Sequence, residues 1–422
     1  MEQDARIIAG PRILKLADRT ALCYFATVKK LSYLLTCGSL VIGSLTPVRS
    51  AEYLARADMP GFHAATFTGG GPSNLFPRMK GTYNGLVGPT NGFVAEYSGF
   101  FTLTINSDRY FDGWMNVGNR RYPLGGRIDN QGHAGVTIYK QVWDDCYCYS
   151  YLLLIWVVSL QLVPGTDQIE GHADNVAHGW STSLLGYRAF GKEDEPAPQK
   201  GRYTLRLPSN ADPAVAPSGE GYGIVTVNTK GRVEAYGALG DGTAYSRSAA
   251  ISTNGWWPFY FPFNDGRGAL IGWLNFSAAA GSDVAGDLTL AKPRNDERKY
   301  YPDGYIGTVA ASGSRYTAPS SSTLALTWTN GTFQLSGGNL SSPAMNSIGF
   351  LPGGKLINNG GDISKLKFSL SKGTGKFTGK FAHPESGKST SYAGVLDQKQ
   401  DIGAGYFLGS NQGGLVRLEA AP

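Results

Sequence analysis

The chain has 422 residues, 41% of them hydrophobic and 17% charged, with a formal charge of +6. That is apolar enough to bury cores and too poor in charge for a disordered chain. Lys and Arg are scattered, which argues against a nucleic-acid groove, and 58 Gly with 12% aromatics suit short twisted strands and tight turns better than long helices.

Residues 1–27 form an unusual prefix. Lys29-Lys30, an apolar stretch from Leu31 to Leu45, and Pro47-Val-Arg-Ser-Ala51 follow. A basic start, a short apolar run and small residues at a cleavage point make a secretory signal. Cleavage after Ser50 places Val48 and Ser50 at the two small-residue positions, and Val28 is the candidate true start. Residues 1–51 are therefore assigned to a prefix and signal peptide. The apolar run is too short and too rich in Gly, Ser and Thr for a stable span, so membrane contact is expected only transiently, through this segment. An N-terminal anchor is the alternative. The expected location is secreted or at the cell surface.

Self-similarity organises the rest. The first unit opens at Gly81-Thr-Tyr-Asn-Gly-Leu86, continues through Gly99-Phe-Phe-Thr-Leu-Thr-Ile-Asn106, turns at Ser107-Asp108 and returns at Tyr110-Phe-Asp-Gly113. The second opens at Gly201-Arg-Tyr-Thr-Leu205, continues through Gly223-Ile-Val-Thr-Val-Asn228, turns at Lys230-Gly231 and returns at Arg232-Val-Glu-Ala-Tyr-Gly237. The third carries Leu366-Lys-Phe-Ser-Leu370, a turn at Lys372-Gly373, and Lys376-Phe-Thr-Gly379. Each is an alternating strand, a short turn and a second alternating strand, the pattern of a hairpin. Gly165-Thr-Asp-Gln-Ile-Glu-Gly171 also matches Gly281-Ser-Asp-Val-Ala-Gly286, and in both the Asp is expected to bond its own turn backbone. The charged, Pro-containing segment 192–200 separates the first two units. The units are placed at 78–198, 199–303 and 304–422.

Two segments depart from this pattern. Tyr149 to Leu160 is almost unbroken apolar sequence, expected as a strand buried on both faces or one that must be covered. In Trp256-Trp-Pro-Phe-Tyr-Phe-Pro-Phe263, Trp257, Phe259, Phe261 and Phe263 face one way, with Trp256, Pro258, Tyr260 and Pro262 opposite. Two prolines favour an edge or bulged strand.

The catalytic and metal patterns are thin. His-Glu-x-x-His, Gly-x-Ser-x-Gly, a phosphate loop and a dinucleotide fingerprint are all absent from the sequence. Of the 4 Cys, Cys146 and Cys148 would share one face of a strand. They are too close for an unstrained bridge and too few for zinc. His172, Asp174 and His178 could share a face, but a fourth ligand is missing and turn and surface roles are expected. Asp144 and Asp145 point to opposite faces, which suits a glycosidase pair poorly. No cofactor and no metal are expected. The aromatics suit binding better: Trp114, Trp256, Tyr260 and Trp328 are the candidate ligand-binding residues for stacking on sugar faces, with core packing as the competing role.

The C-terminal part reads Tyr392-Ala-Gly-Val-Leu-Asp-Gln-Lys-Gln400 and then Gly403-Ala-Gly-Tyr-Phe-Leu-Gly-Ser-Asn-Gln412. With Leu335-Ser-Gly-Gly-Asn-Leu-Ser-Ser342 and Gly313-Ser-Arg-Tyr-Thr-Ala-Pro319, it resembles a family of secreted bacterial β-repeat proteins that carry adhesive modules. The resemblance implies export and β-repeat structure and carries no catalytic residues. The fold expectation is all-β, about three antiparallel meander units forming small barrels or barrel-like sandwiches. The leading functional expectation is an exported, non-catalytic structural or adhesive protein. A carbohydrate-binding module that takes polysaccharide or a cell-surface glycan comes second, and a polysaccharide-active enzyme third.

Overall fold

The computed structural model describes residues 53–56, 79–89, 92–144, 149–191, 195–208, 212 and 214–422. The expected signal segment, Cys23, Cys37 and the Cys146–Cys148 pair lie outside them. Among the described residues the protein is all-β, with three antiparallel sheets of nine, eight and eight strands and one short 3-10 turn at Ala95–Tyr97.

The first sheet holds β1 (Tyr53–Arg56), β2 (Gly81–Pro89), β3 (Gly99–Ile105), β4 (Tyr110–Val117), β5 (Arg120–Arg127), β6 (His133–Asp144), β7 (Tyr149–Leu162), β8 (Gln168–Asn175) and β9 (Trp180–Arg188). The second holds β10 (Gly201–Leu207), β11 (Gly221–Val227), β12 (Arg232–Ala238), β13 (Ala244–Ala250), β14 (Trp256–Phe263), β15 (Gly268–Phe276), β16 (Val284–Lys292) and β17 (Tyr305–Arg315). The third holds β18 (Asn330–Gly337), β19 (Ala344–Leu351), β20 (Lys355–Gly361), β21 (Lys367–Ser371), β22 (Lys376–Ala382), β23 (Ser389–Asp397), β24 (Ile402–Leu408) and β25 (Gly413–Ala420).

Most consecutive strands pair, and in each sheet a late strand returns to an early one, β2 with β9, β10 with β17 and β18 with β25, while β1 pairs with β6 at one end of the first sheet. The result is a nearly closed up-and-down barrel with one unpaired seam, between β13 and β14 in the second barrel and between β20 and β21 in the third. Closure also sets the boundaries. β17 bonds to both β16 and β10, so the second sheet runs to Arg315, past the expected limit of 303. The third sheet starts at Asn330, where Gly331-Thr-Phe333 repeats the Gly-x-aromatic opening of Gly81-Thr-Tyr83 and Gly201-Arg-Tyr203.

The hairpin turns follow from residue chemistry. The Asn106 carboxamide accepts the N–H groups of Asp108 and Tyr110 at 2.9 and 3.0 Å, and Asn228 does the same for Lys230 and Arg232 at 2.9 and 3.0 Å. Each Asn replaces ladder bonds that the turn cannot make. The left-handed position that follows is Arg109 (φ 70) in one copy and Gly231 (φ 73) in the other.

Alternation sends one face of each strand inward, so each barrel has its own core. Trp156, Phe101 and Leu103 are buried in the first, Trp257, Phe259 and Val225 in the second, and Phe333, Phe377 and Phe407 in the third. Two smaller clusters join the barrels. Leu86 and Ala95 meet Tyr260 and Ile271 between the first and second, and Tyr222 and Ile224 meet Val395 between the second and third.

The two matched aspartates have a role other than the one expected. Instead of closing their own turns, Asp167 pairs with Arg188 and accepts the Thr253 hydroxyl at 2.7 Å. Asp283 accepts the Arg315 N–H at 2.8 Å and pairs with Lys399 at 2.7 Å. Each therefore ties the last strand of its own barrel to a loop of the next. The Gln398-Lys-Gln400 turn completes the second junction: Gln398 bonds Thr317 and Ala325, and Gln400 donates to the Gly281 carbonyl.

The Tyr149–Leu160 run is not buried on both faces. Trp156, Val158 and Leu160 face the core, whereas Tyr149, Tyr151, Leu152 and Leu153 are exposed where the β6–β7 hairpin extends beyond its neighbours. β8 pairs only with the inner part, Trp156 to Leu162.

Candidate functional site

A cleft of about 540 Å³ opens over the β13–β14 seam of the second barrel. Its far wall is the outer face of the first barrel, with Phe100 from β3 and Trp114 and Asn116 from β4. The strand period of two decides which second-barrel side chains face it, and the open seam also lets the inward-facing Ala235, Arg247, Ala249 and Trp257 line it. Val233 and Ala235 of β12 face the core, so Arg232, Glu234 and Tyr236 face out. Ser246 and Ser248 of β13 flank them, with Pro258, Tyr260 and Pro262 on the outer face of β14. β14 is the edge strand of its sheet, which is where prolines 258 and 262 can sit without removing a ladder donor.

The cleft is a mixed surface. Trp114 is half-buried, tilted against Phe100 at 5.6 Å, with the Arg121 guanidinium 4.4 Å from its ring centroid. Tyr236 is 47% exposed. Arg232 pairs with Glu234 at 3.4 Å and donates to the Ser248 hydroxyl at 3.0 Å. Arg247 reaches the seam from β13 and lies 4.7 Å over the Phe261 ring. Burial lowers its guanidinium from the ordinary value, and Tyr260 partly offsets that.

The four aromatics chosen from the sequence fall in three different places. Trp114 lines the cleft. Tyr260 lies at its base, its hydroxyl donating to the Gly118 carbonyl at 2.8 Å; burial raises that hydroxyl well above its ordinary value. Trp256 is half-buried at the junction, stacked on Tyr187 of the first barrel at 6.0 Å and edge-on to Trp273 at 6.3 Å. Trp328 is 8% exposed in the third core, its indole N–H donating to the Asp401 carbonyl at 3.0 Å. The structure thus brings Trp114 and Tyr260 together and leaves Trp256 and Trp328 elsewhere.

No family model matches the chain, and no curated protein matches it. Among solved structures, the chain is similar to a mutant of Transferrin Binding Protein B from Haemophilus parasuis Hp5, at 8% identity over 81% of this chain and 76% of that one, with a TM-score of 0.21. Transferrin Binding Protein B from Neisseria meningitidis matches at 9% identity over 80% and 76%, with a TM-score of 0.19. A DUF3598-family protein of unknown function from Nostoc punctiforme matches at 9% over 82% and 98%, with a TM-score of 0.16. At these scores the likenesses carry no functional argument.

A second cavity, about 260 Å³, lies at one end of the second barrel and is lined by Asp241, Thr243, Lys292, Arg298, Lys299 and Tyr300 among others. Lys292 and Asp241 pair there with side chains only 4% and 7% exposed. The histidine cluster is smaller than a metal site needs: His172 meets Asp174 at 3.1 Å, while His178 lies in the following turn. Among the described residues no group of three metal-ligating side chains comes together. Tyr236, Arg247, Ser246 and Ser248 were missed in the sequence because strand alternation marks them only as outer-face or seam positions. The neighbour that turns them into a cleft comes from another barrel.

Proposed function

We propose that the protein is an exported, non-catalytic adhesive module of the bacterial cell surface or extracellular space, and that it holds a polysaccharide or surface glycan in the cleft between the first two barrels. The observation that carries this reading is the composition of that cleft: Trp114 and Tyr236 beside Asn116, Ser246, Ser248, Arg232 and Glu234. Aromatic surface covers the apolar face of a sugar ring, and hydroxyl, amide and charged groups around it bond the ring hydroxyls. The exported location and the adhesive role rest on the signal-like start and on the repeat motifs.

Affinity electrophoresis on a panel of polysaccharides tests the reading. Retardation by at least one polysaccharide, lost in Trp114→Ala and Tyr236→Ala while the thermal midpoint holds, is the expected result. Retardation unchanged in both variants would place the contact elsewhere. Turnover of any panel member into reducing ends would replace adhesion with catalysis.

A further inference from the structure

We infer that the cleft takes an acidic saccharide, a sugar bearing a carboxylate, and that Arg247 receives that carboxylate; this rests on the saccharide-binding reading of the same cleft.

Among the described residues, Arg247 has no carboxylate paired with it. It sits on β13 between Tyr245 and Ala249, both of which pack toward the barrel core. Its guanidinium lies over Phe261 of β14 and lines the cleft at the gap where β13 and β14 do not pair. Among the described residues its buried Nε meets no hydrogen-bond acceptor, and its guanidinium lies over the Phe261 ring at 4.7 Å. The acid that lines the cleft, Glu234, is already paired with Arg232 at 3.4 Å. A partly desolvated guanidinium left without an anion is unfavourable, and a protein that only needed to fill this position could do so with an apolar side chain. A ligand carboxylate arriving in the cleft would supply the missing anion, which guanidinium favours in a planar, charge-assisted geometry.

The rest of the lining narrows the class. Arg232 and Glu234 neutralise each other and Arg121 is stacked on the Trp114 ring at the rim, so among the described side chains that line the cleft Arg247 is the cation left beside hydroxyl, amide and aromatic groups. One planar cation among sugar-binding groups suits a single carboxylate on a ring. Densely sulfated or phosphorylated chains call for clusters of Lys and Arg.

Calorimetry on the full-length protein in about 0.15 M salt, where surface attraction is screened, tests this with three probes: a short oligogalacturonide, the same oligomer with its carboxylates reduced to alcohols, and a sulfated oligosaccharide of matched length. The wild type should bind the uronide roughly tenfold or more tightly than the reduced sugar, as expected for a charge-assisted bond in a partly dry site. Arg247→Met should erase that preference and leave the weaker affinity for the reduced sugar. Arg247→Lys, which keeps the charge without the fork, should fall between and guards against a folding defect. Arg294→Met, an exposed guanidinium outside the cleft, should change nothing. Equal wild-type binding of uronide and reduced sugar, both lost in Trp114→Ala, would overturn the carboxylate assignment and leave the cleft as a saccharide site. A preference for the sulfated probe, or a uronide preference surviving in Arg247→Met, would overturn it too. Binding of none of the three would overturn it as well, and retardation by another polysaccharide of the panel would then keep the saccharide reading.

Discussion

Replacing Asp241 with Asn tests what holds one end of the second barrel. Asp241 follows β12, Lys292 ends β16, and the pair they form is almost fully buried. The Thr243 hydroxyl accepts from Lys292, and the Tyr305 hydroxyl donates to Asp241 at 3.4 Å. The Asn side chain keeps the shape and removes the charge, leaving an ammonium with neutral oxygens only. Breaking a buried pair from one side costs about 3–5 kcal/mol, and the adjoining cavity gives the stranded ammonium some access to water, which favours the lower end, about 3 kcal/mol. Asp241→Asn with Lys292→Met should recover part of the loss, because no charge is then stranded. The effect also has a pH sign. Burial alone would raise the Asp241 carboxyl, but the Lys292 ammonium beside it holds it below its ordinary value. The folded state therefore binds that proton less tightly than the unfolded chain. The stability this adds is present above the ordinary carboxylate range and is lost as pH falls through the depressed folded value. Urea unfolding read by peptide-level hydrogen exchange over β16 and β17 isolates the second barrel from its neighbours. A single-variant loss under about 0.5 kcal/mol, the scale of an ordinary surface change, would refute the reasoning. So would a double variant less stable than the single, or an acid profile unchanged by Asp241→Asn.

Three other outcomes follow from named contacts. Trp328→Ala should destabilise the third barrel by about 3–5 kcal/mol, as large aromatic truncations do, and leave saccharide retardation intact, whereas Trp114→Ala should do the reverse; thermal unfolding beside affinity electrophoresis reads both. In a double-mutant cycle, Asp283→Asn and Lys399→Met should show a coupling of about 1 kcal/mol, with hydrogen exchange rising at residues 277–283 when either is changed; additive effects would mean that the second and third barrels are not joined there. A Cβ on Gly237 would meet the Tyr222 carbonyl oxygen at 1.8 Å, whereas one on Gly125 meets Phe111 at an ordinary 3.7 Å. Gly237→Ala should therefore cost about 1–3 kcal/mol by overpacking and Gly125→Ala much less, as denaturant midpoints would report.

The fold was legible where the physics is local. Alternation and turn chemistry around Asn106 and Asn228 announced hairpins, and prolines 258 and 262 marked β14 as an edge. What the sequence hid were contacts between distant segments. The boundary near 304 fell short because β17 belongs to the second barrel through its pairing with β10, and strand periodicity says nothing about which strand closes a barrel. The third opening, Gly331-Thr-Phe333, was legible and overlooked in favour of the hairpin at 366–379. Asp167 and Asp283 were visible as a matched pair, but their partners Thr253 and Lys399 lie in the next barrel. The Gln398-Lys-Gln400 stretch stood out for the same hidden reason: it docks the third barrel on the second. The candidate site was the least legible part. Trp114 and Tyr260 were singled out for residue type alone, and Arg247 became notable only once its seam position and missing counter-charge were known.

Hydrogen–deuterium exchange of the full-length protein, with and without a saturating concentration of the polysaccharide that retards it most, tests the binding cleft most directly. Slowed exchange confined to peptides of β3–β4 and β12–β14, with the third barrel and the β6–β7 hairpin unchanged, is the predicted result. Slowing confined to the third barrel or to that hairpin, or no change in β12–β14 at saturation, would contradict it.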